Sequence, residues 1–176
     1  MREIETLKVF QAPTRKRPTF KTYFYFRNVI EVKEIASAKD MEAAFEIRRL
    51  VFVIEQKVPP HEEYDEYEKD CVHFLARFQG VPAGTARIRK TENGYKLERF
   101  AVLQARRGNG IGAALVNACL KHAILQTPGT YVYMHAQEHA IDFYKPFGFE
   151  LKGERFMECD IPHFEMWLKI PLTQNL

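Results

Sequence analysis

Residues 105–115 read ARRGNGIGAAL: two arginines, then glycine at every second position, then a run with the composition of a helix. Glycine carries no Cβ, so backbone N–H groups can close on a ligand there. A helix N-terminus adds unpaired N–H groups and partial positive charge, which together favour a phosphate. The stretch therefore predicts an anion site between a strand ending in AVL (101–103) and a helix over 112–126.

The flanking residues decide which anion. A Walker A loop needs Gly-Lys-Ser/Thr after its glycines, and Ile111-Gly112-Ala113 stands there instead, which excludes the usual nucleoside-triphosphate reading. Gly108, Gly110 and Ala113 satisfy the dinucleotide fingerprint as a bare pattern. That fingerprint turns directly out of a strand, however, whereas QARR (104–107) intervenes here and no acidic residue closes the next strand. A dehydrogenase is thus a distant alternative.

Working outward, three strand-like stretches precede the loop: CVHFLARF (71–78), AGTARIRKT (83–91) and YKLERFAVL (95–103). Gly80-Val81-Pro82 and Asn93-Gly94 separate them, and Asn-Gly between alternating runs is a strong hairpin signal, so they predict an antiparallel meander. Upstream, VIEVKEIA (29–36) alternates as a strand, and SAKD (37–40) has the spacing of a capping box before a helix. Within MEAAFEIRRLVFVIEQ (41–56) the apolar positions fit helical spacing only approximately, and Pro59-Pro60 must end that element. HEEYDEYEKD (61–70) reads as a loop or short helix.

Downstream of the loop, Leu115, Ala118, Cys119 and Leu125 fall on or near one helix face. TYVYMHA (130–136) follows as a strand, and strand–helix–strand is the layout of a parallel crossover, so the sheet is mixed. A second helix, HAIDFYKPF (139–147), ends at Gly148, and FELKGERF (149–156) with HFEMWLKI (163–170) supplies a closing pair of strands. The fold class is α/β, a mixed twisted sheet flanked by helices.

At 176 residues the chain suits one folded domain, here residues 29–172, with an appended arm over residues 1–28. Cys71, Cys119 and Cys159 are odd in number and widely spaced, which argues for free thiols in a reducing cytoplasm and against a metal site. No apolar run approaches the roughly 18 residues needed to span a bilayer. The arm carries the net positive charge: residues 1–30 hold seven Lys/Arg against two Asp/Glu, leaving 19 against 21 in the remainder. Its stretch PTRKRPTFKTYFYF (13–26) could bind nucleic acid through phosphates and stacking, but a strand pairing on its own sheet or across a homodimer is the preferred reading.

The motif Arg107-Gly108-Asn109-Gly110-Ile111-Gly112, of the form R-x-x-G-x-G, with LERFAVL (97–103), FYKPFGF (143–149) and the strand–helix order, resembles the GNAT superfamily of acyl-CoA N-acyltransferases. IRRLVFVIEQKVP (47–59), KLERFAVL (96–103) and IPHFEM (161–166) are similar to small bacterial single-domain GNAT proteins of the YjcF type. The resemblance implies a GNAT fold, acetyl-CoA as co-substrate and a primary amine as acceptor. It also implies that the backbone of Arg107, Gly108, Asn109, Gly110, Ile111, Gly112 and Ala113 holds the pyrophosphate, with the Arg107 side chain adding charge. Phe100, Ala101 and Val102 would pair with the pantetheine along a strand splayed from its neighbour, and a backbone N–H near Phe100 would polarise the thioester.

Direct transfer needs a neutral amine, so a base must take the ammonium proton. Glu98 is the first candidate, since strand alternation gives it the parity of Phe100 and Val102; a salt bridge to a neighbouring Arg or Lys is the equal alternative. His135 is a second candidate base, with a hydrogen-bonding position beside the cofactor preferred. Tyr144 matches the residue that the resemblance makes the proton donor to the departing thiolate, the alternative being a core aromatic. The resemblance implies that residues 41–70 line the acceptor pocket, where the acidic run suits an amino sugar, polyamine or lysine side chain, a solvated charged face being the alternative. Arg48, Glu55 and Gln56 are further pocket candidates, with surface or capping roles as alternatives. None of the three cysteines is assigned to catalysis. A catalytically silent CoA-binding partner protein is the main alternative to an enzyme.

Overall fold

The computed structural model describes residues 29–172. The arm over residues 1–28, with its strand and nucleic-acid readings, lies outside them. Strand β1 (Ile30–Glu34) leads to helix α1 (Ala38–Arg48), whose N-cap Ser37 accepts a hydrogen bond from the Asp40 amide at 3.1 Å as the capping spacing predicted. The helix then widens into a π-helical segment, Arg49–Glu55, in which the Gln56 amide reaches back five residues to the Val51 carbonyl at 3.0 Å. This extra residue per turn explains why the apolar positions of 41–56 kept helical spacing only loosely.

Pro60 opens the short helix α2 (Pro60–Glu63), and a 3₁₀ turn (Glu66–Lys69) carries the rest of the acidic run. Strands β2 (Val72–Phe78), β3 (Val81–Thr91) and β4 (Gly94–Val102) form the predicted meander. The β3–β4 turn falls on Glu92-Asn93, with Gly94 at φ 124° already opening β4, one residue earlier than the Asn-Gly pair implied. Helix α3 (Ile111–Gln126) crosses to β5 (Tyr131–Gln137), and the short helix α4 (Ile141–Tyr144) lies between 3₁₀ turns before β6 (Glu150–Glu158) and β7 (Ile161–Lys169).

The seven strands form one sheet in the order β1-β2-β3-β4-β5-β7-β6, antiparallel except for β4 and β5. Helix α3 covers one face, packing Ile111, Leu115, Val116, Cys119 and Ala123 on Phe74, Ala86, Ile88, Leu97 and Met134. Leu125, expected near that face, is 55% exposed, because the helix turns it past the sheet. Helix α1 covers the opposite face through Ala44, Ile47 and Val51 against Leu75 and Ala101. Each fully buried aliphatic side chain contributes about 1.5–3 kcal/mol, so both faces anchor the sheet. No helix among the described residues is long and apolar enough to cross a membrane.

Two irregularities in β4 interrupt the regular sheet. The parallel pairing of β4 with β5 stops at Leu97↔Met134, and beyond that pair the strands diverge into a fork. In β4 itself the register on β3 jumps from Arg87↔Glu98 to Thr85↔Ala101, so Arg99 and Phe100 together face Ala86. Arg99 sits at φ 54°, the left-handed region that a bulge requires.

Candidate active site

The bulge overturns the alternation expected for Glu98. Beyond it Phe100 and Val102 pack toward the α3 face, while Ala101 joins the α1 face, the side on which Glu98 pairs with Arg87. On β5, Val132, Met134 and Ala136 belong to the α3 core, which leaves His135 and Gln137 on the α1 face. Glu98 and His135 are thus the first residues past the last β4–β5 pair, one on each arm of the fork and, opposite in parity to the core residues Leu97 and Met134, on the same side of the sheet.

A cleft of about 1130 Å³ runs through this fork. On the α3 side it is lined by Phe100, Val102, Arg107, Gly108, Gly110, Ile111, Gly112, Ala113 and Tyr144, and on the α1 side by Gln56, Glu98, His135 and Gln137. Ala101 is buried in the α1 core, and Asn109 turns its amide back onto the Arg106 and Arg107 carbonyls at 3.0 and 3.2 Å, so neither side chain reaches the cleft. The side chain of Asn109 therefore holds the loop closed.

Gly110 caps α3 at φ 83° with no side chain to satisfy the first helical N–H groups. A Cβ on Gly112 would sit 3.1 Å from Phe143 Cζ, a tight contact, so glycine lets the Phe143 ring of α4 lie close against the start of α3. The uncapped N–H groups and the wall of the cleft coincide, which is the geometry of an anion site. Arg107 stands beside them with both terminal nitrogens 2.7 Å from the Glu55 carboxylate and its Nε 3.1 Å from the Val102 carbonyl. Glu55 is held below its ordinary carboxylate range by that guanidinium, which it engages as a paired anion.

The acidic run behaves differently from the expectation of a free negative pocket. Arg48, buried on α1, binds Glu63 and reaches Glu68 at 2.6 and 3.0 Å, so it fastens the run to the helix and does not line the cleft. Arg87, equally buried, donates to both oxygens of Asp65 at 2.7 Å and lies 3.1 Å from Glu68. Arg99 adds a contact to Asp65 at 3.2 Å. Hydrogen bonds from Arg87 take the Asp65 carboxyl down to about 2, so these acids are consumed as counter-ions for buried arginines.

Glu98 belongs to the same network. Its carboxylate accepts from Arg87 at 2.8 and 3.1 Å and from Arg89 at 3.2 and 3.4 Å, with Lys96 3.5 Å away. Burial raises its pKa, but Arg89, Arg87 and Lys96 outweigh that and leave it lowered. The salt-bridge alternative is what the geometry realises.

Two other cleft groups keep unused polar atoms. The Tyr144 ring packs edge-on to Phe100 at 6.2 Å, and its hydroxyl has no partner among the described residues. Burial raises its pKa well above that of free tyrosine, so the hydroxyl stays a donor. His135 Nδ1 lies 2.6 Å from Glu158 Oε1, at the end of β6, while Nε2 has no partner among the described residues. Burial raises the Glu158 carboxyl, and the contacts to His135, His163 and Lys96 more than reverse it.

Glu158 and Arg87 escaped the sequence reading, because no motif marks a residue that meets its partner only through strand register. Gln56, a pocket candidate, lines the cleft and bonds Gln137 at 3.0 Å. Burial raises the Cys119 thiol and takes Cys71 up to about 11, and Cys159 is raised as well, so none is an activated thiolate.

Comparison with known proteins agrees with this architecture. Residues 36–170 match the Acetyltransferase (GNAT) domain family. YjcF of Bacillus subtilis (strain 168), named as an uncharacterized N-acetyltransferase, is 35% identical over 129 residues, spanning 73% of this chain and 91% of its own. The crystal structure of Escherichia coli ElaA superposes with a TM-score of 0.72 at 30% identity, covering 79% of this chain and 99% of ElaA. An acyl-CoA N-acyltransferase from Pseudomonas aeruginosa gives a TM-score of 0.69 at 29% identity, over 79% and 97% of the two chains. The splayed strands, the uncapped glycine turn and these matches lead to one assignment: the chain belongs to the GNAT acetyltransferase family.

Proposed function

We propose that the protein transfers the acetyl group of acetyl-CoA to a primary amine by direct attack in a ternary complex. The observation that carries this reading is the uncapped N-terminus of α3 opening onto a cleft that passes through the β4–β5 fork. In this reading the amides from Gly108 to Ala113 and the Arg107 side chain hold the pyrophosphate, with Glu55 yielding its place. The pantetheine lies along Phe100, Ala101 and Val102, where β4 has lost its β5 partner, and Arg107 gives up the Val102 carbonyl that its Nε now holds. The thioester then reaches the fork, and the amine enters from the α1 side.

Attack forms the C–N bond, and collapse of the tetrahedral intermediate breaks the C–S bond. Tyr144, kept protonated by burial, supplies the proton that the thiolate takes. A route through an acyl-cysteine finds no support in three thiols whose pKa values are all raised. We assign the domain to residues 29–172, in a cytoplasmic setting suited to free thiols, and require no metal.

Thermal unfolding with CoA, acetyl-CoA and NAD tests the first half of the reading. Ligand at about 100 times its dissociation constant stabilises the folded state by roughly 2.7 kcal/mol. A raised midpoint with both CoA species and none with NAD is expected; no rise with CoA removes the basis of the proposal. Thiol release from acetyl-CoA is then followed with kanamycin, spermidine and Nα-acetyl-lysine amide, which represent amino sugars, polyamines and lysine side chains.

A further inference from the structure

Resting on that reading, we infer that His135 and Glu158 form a base dyad, with His135 Nε2 taking the proton of the incoming ammonium and Glu158 positioning the ring. Three observations carry it. His135 is the first β5 residue past the fork, on the face from which the acceptor enters, and it lines the cleft. Its Nδ1 is engaged by Glu158 Oε1 at 2.6 Å, which directs the proton of the neutral ring to Nδ1 and leaves Nε2 as an acceptor. The competing carboxylate across the fork, Glu98, has its oxygens engaged by Arg87 and Arg89.

The orientation of the ring is enforced from two sides. Phe156, two residues before Glu158 on the same face of β6, meets the imidazole edge-on at 4.9 Å. His163 Nε2 stands 3.9 Å from the second Glu158 oxygen, so the carboxylate is bracketed by two histidines. The charged or titratable groups around His135 are Glu158 from β6, Glu165 and His163 from β7, Lys96 and Glu98 from β4, and Cys159 from the turn.

Protons and electrons balance without a further reactant. His135 Nε2 removes one proton from the ammonium and passes it to solvent, to which the half-buried ring is open. The freed nitrogen pair attacks the thioester carbon, and the C–S bond breaks with its electron pair on sulfur. Tyr144 protonates that thiolate and is restored by the second proton that the nitrogen sheds. The products are the amide, CoA thiol and one released proton.

The test begins with a measurement that needs no acceptor: ¹⁵N spectra of the full chain, histidine-labelled and saturated with CoA. The neutral ring is expected to carry its proton on Nδ1, and Glu158→Leu, which leaves Nδ1 without that acceptor, should abolish the preference. A proton on Nε2 in the wild-type protein overturns the dyad. Kinetics follow with whichever of the three probe amines the wild-type protein acetylates. His135→Gln should lower kcat/KM by about 100-fold. Glu158→Gln should move the acidic limb of the pH profile to lower pH, since the ring then takes up its proton without a neighbouring carboxylate. Unfolding and CoA binding should be unchanged in both variants. Wild-type activity in His135→Gln with an unmoved pH profile overturns the inference while leaving the acyl-transfer reading intact; failure of the wild-type protein to bind CoA defeats that reading instead.

Discussion

Replacing Glu98 by Gln separates an ion-pair hub from a catalytic base. The carboxylate accepts two short hydrogen bonds from Arg87, at 2.8 and 3.1 Å, and two longer ones from Arg89. Gln keeps an accepting oxygen but loses the charge. A hydrogen bond to a charged group contributes about 1.5–3 kcal/mol and a neutral one about 0.5–1.5, so each short bond weakens by about 1 kcal/mol. The penalty of about 3–5 kcal/mol for an uncompensated buried charge does not apply, because Asp65 still holds Arg87 with both oxygens at 2.7 Å. The expected loss is therefore about 2 kcal/mol. Urea unfolding with a slope of about 2 kcal/mol/M would show it as a midpoint lowered by about 1 M. Below the transition, kcat/KM should stay within about tenfold of wild type. A loss of roughly 10²–10⁴ in kcat with an unchanged urea midpoint is the signature of general base catalysis, and would refute the hub assignment.

Tyr144→Phe removes a hydroxyl with no protein partner among the described residues, so CoA affinity and the unfolding midpoint should hold while kcat falls about 100-fold in the thiol-release assay. Glu55→Gln frees Arg107 from a bidentate pair at 2.7 Å; an exposed pair is worth at most about 1 kcal/mol, so CoA should bind up to about fivefold tighter by calorimetry, and weaker binding would contradict the phosphate-mimic role. Asp65, with its carboxyl lowered from 3.8 to about 2, contributes stability that is present above 3.8 and lost as pH falls through about 2. That contribution is at most about 2 kcal/mol, and solvent screening at a partly exposed site reduces it to about 1. Asp65→Asn should be less stable than wild type at neutral pH by that amount, with the gap closing on acidification; a gap constant with pH in denaturant titrations would count against it.

The succession of elements along the chain, the crossover and the glycine turn were legible because each rests on local chemistry: period-two alternation, a capping serine, and glycines where a helix begins. What escaped was set by events of a single residue. Alternation along YKLERFAVL puts Glu98 with Phe100, and the bulge at Arg99 reverses that assignment, although nothing in the side chain of an arginine announces a left-handed backbone. The acidic run looked like a free negative surface because its counter-ions, Arg48, Arg87 and Arg99, come from distant positions: Arg48 is 15 residues from Glu63, and Arg87 and Arg99 are 22 and 34 from Asp65. His135 was visible as a polar residue ending a strand, but its partner Glu158 is 23 residues on, joined to it only through the register of β5, β7 and β6.

The π-helical segment after α1 has a geometric consequence for how such a chain can vary. A π turn behaves as an α-helix carrying one residue too many, and each helical residue advances the chain by about 100° around the axis. Deleting any one residue of 49–55 would let the α-helix run on and turn the end of the segment, Glu55 and Gln56, by up to roughly that angle, with the loop before β2 absorbing the change. Glu55 would leave Arg107 and Gln56 would leave Gln137 in the same step, so two stretches of the cleft wall would turn together. A single codon gained or lost here thus works as a dial on both stretches of wall, while the sheet and the glycine turn stay where they are.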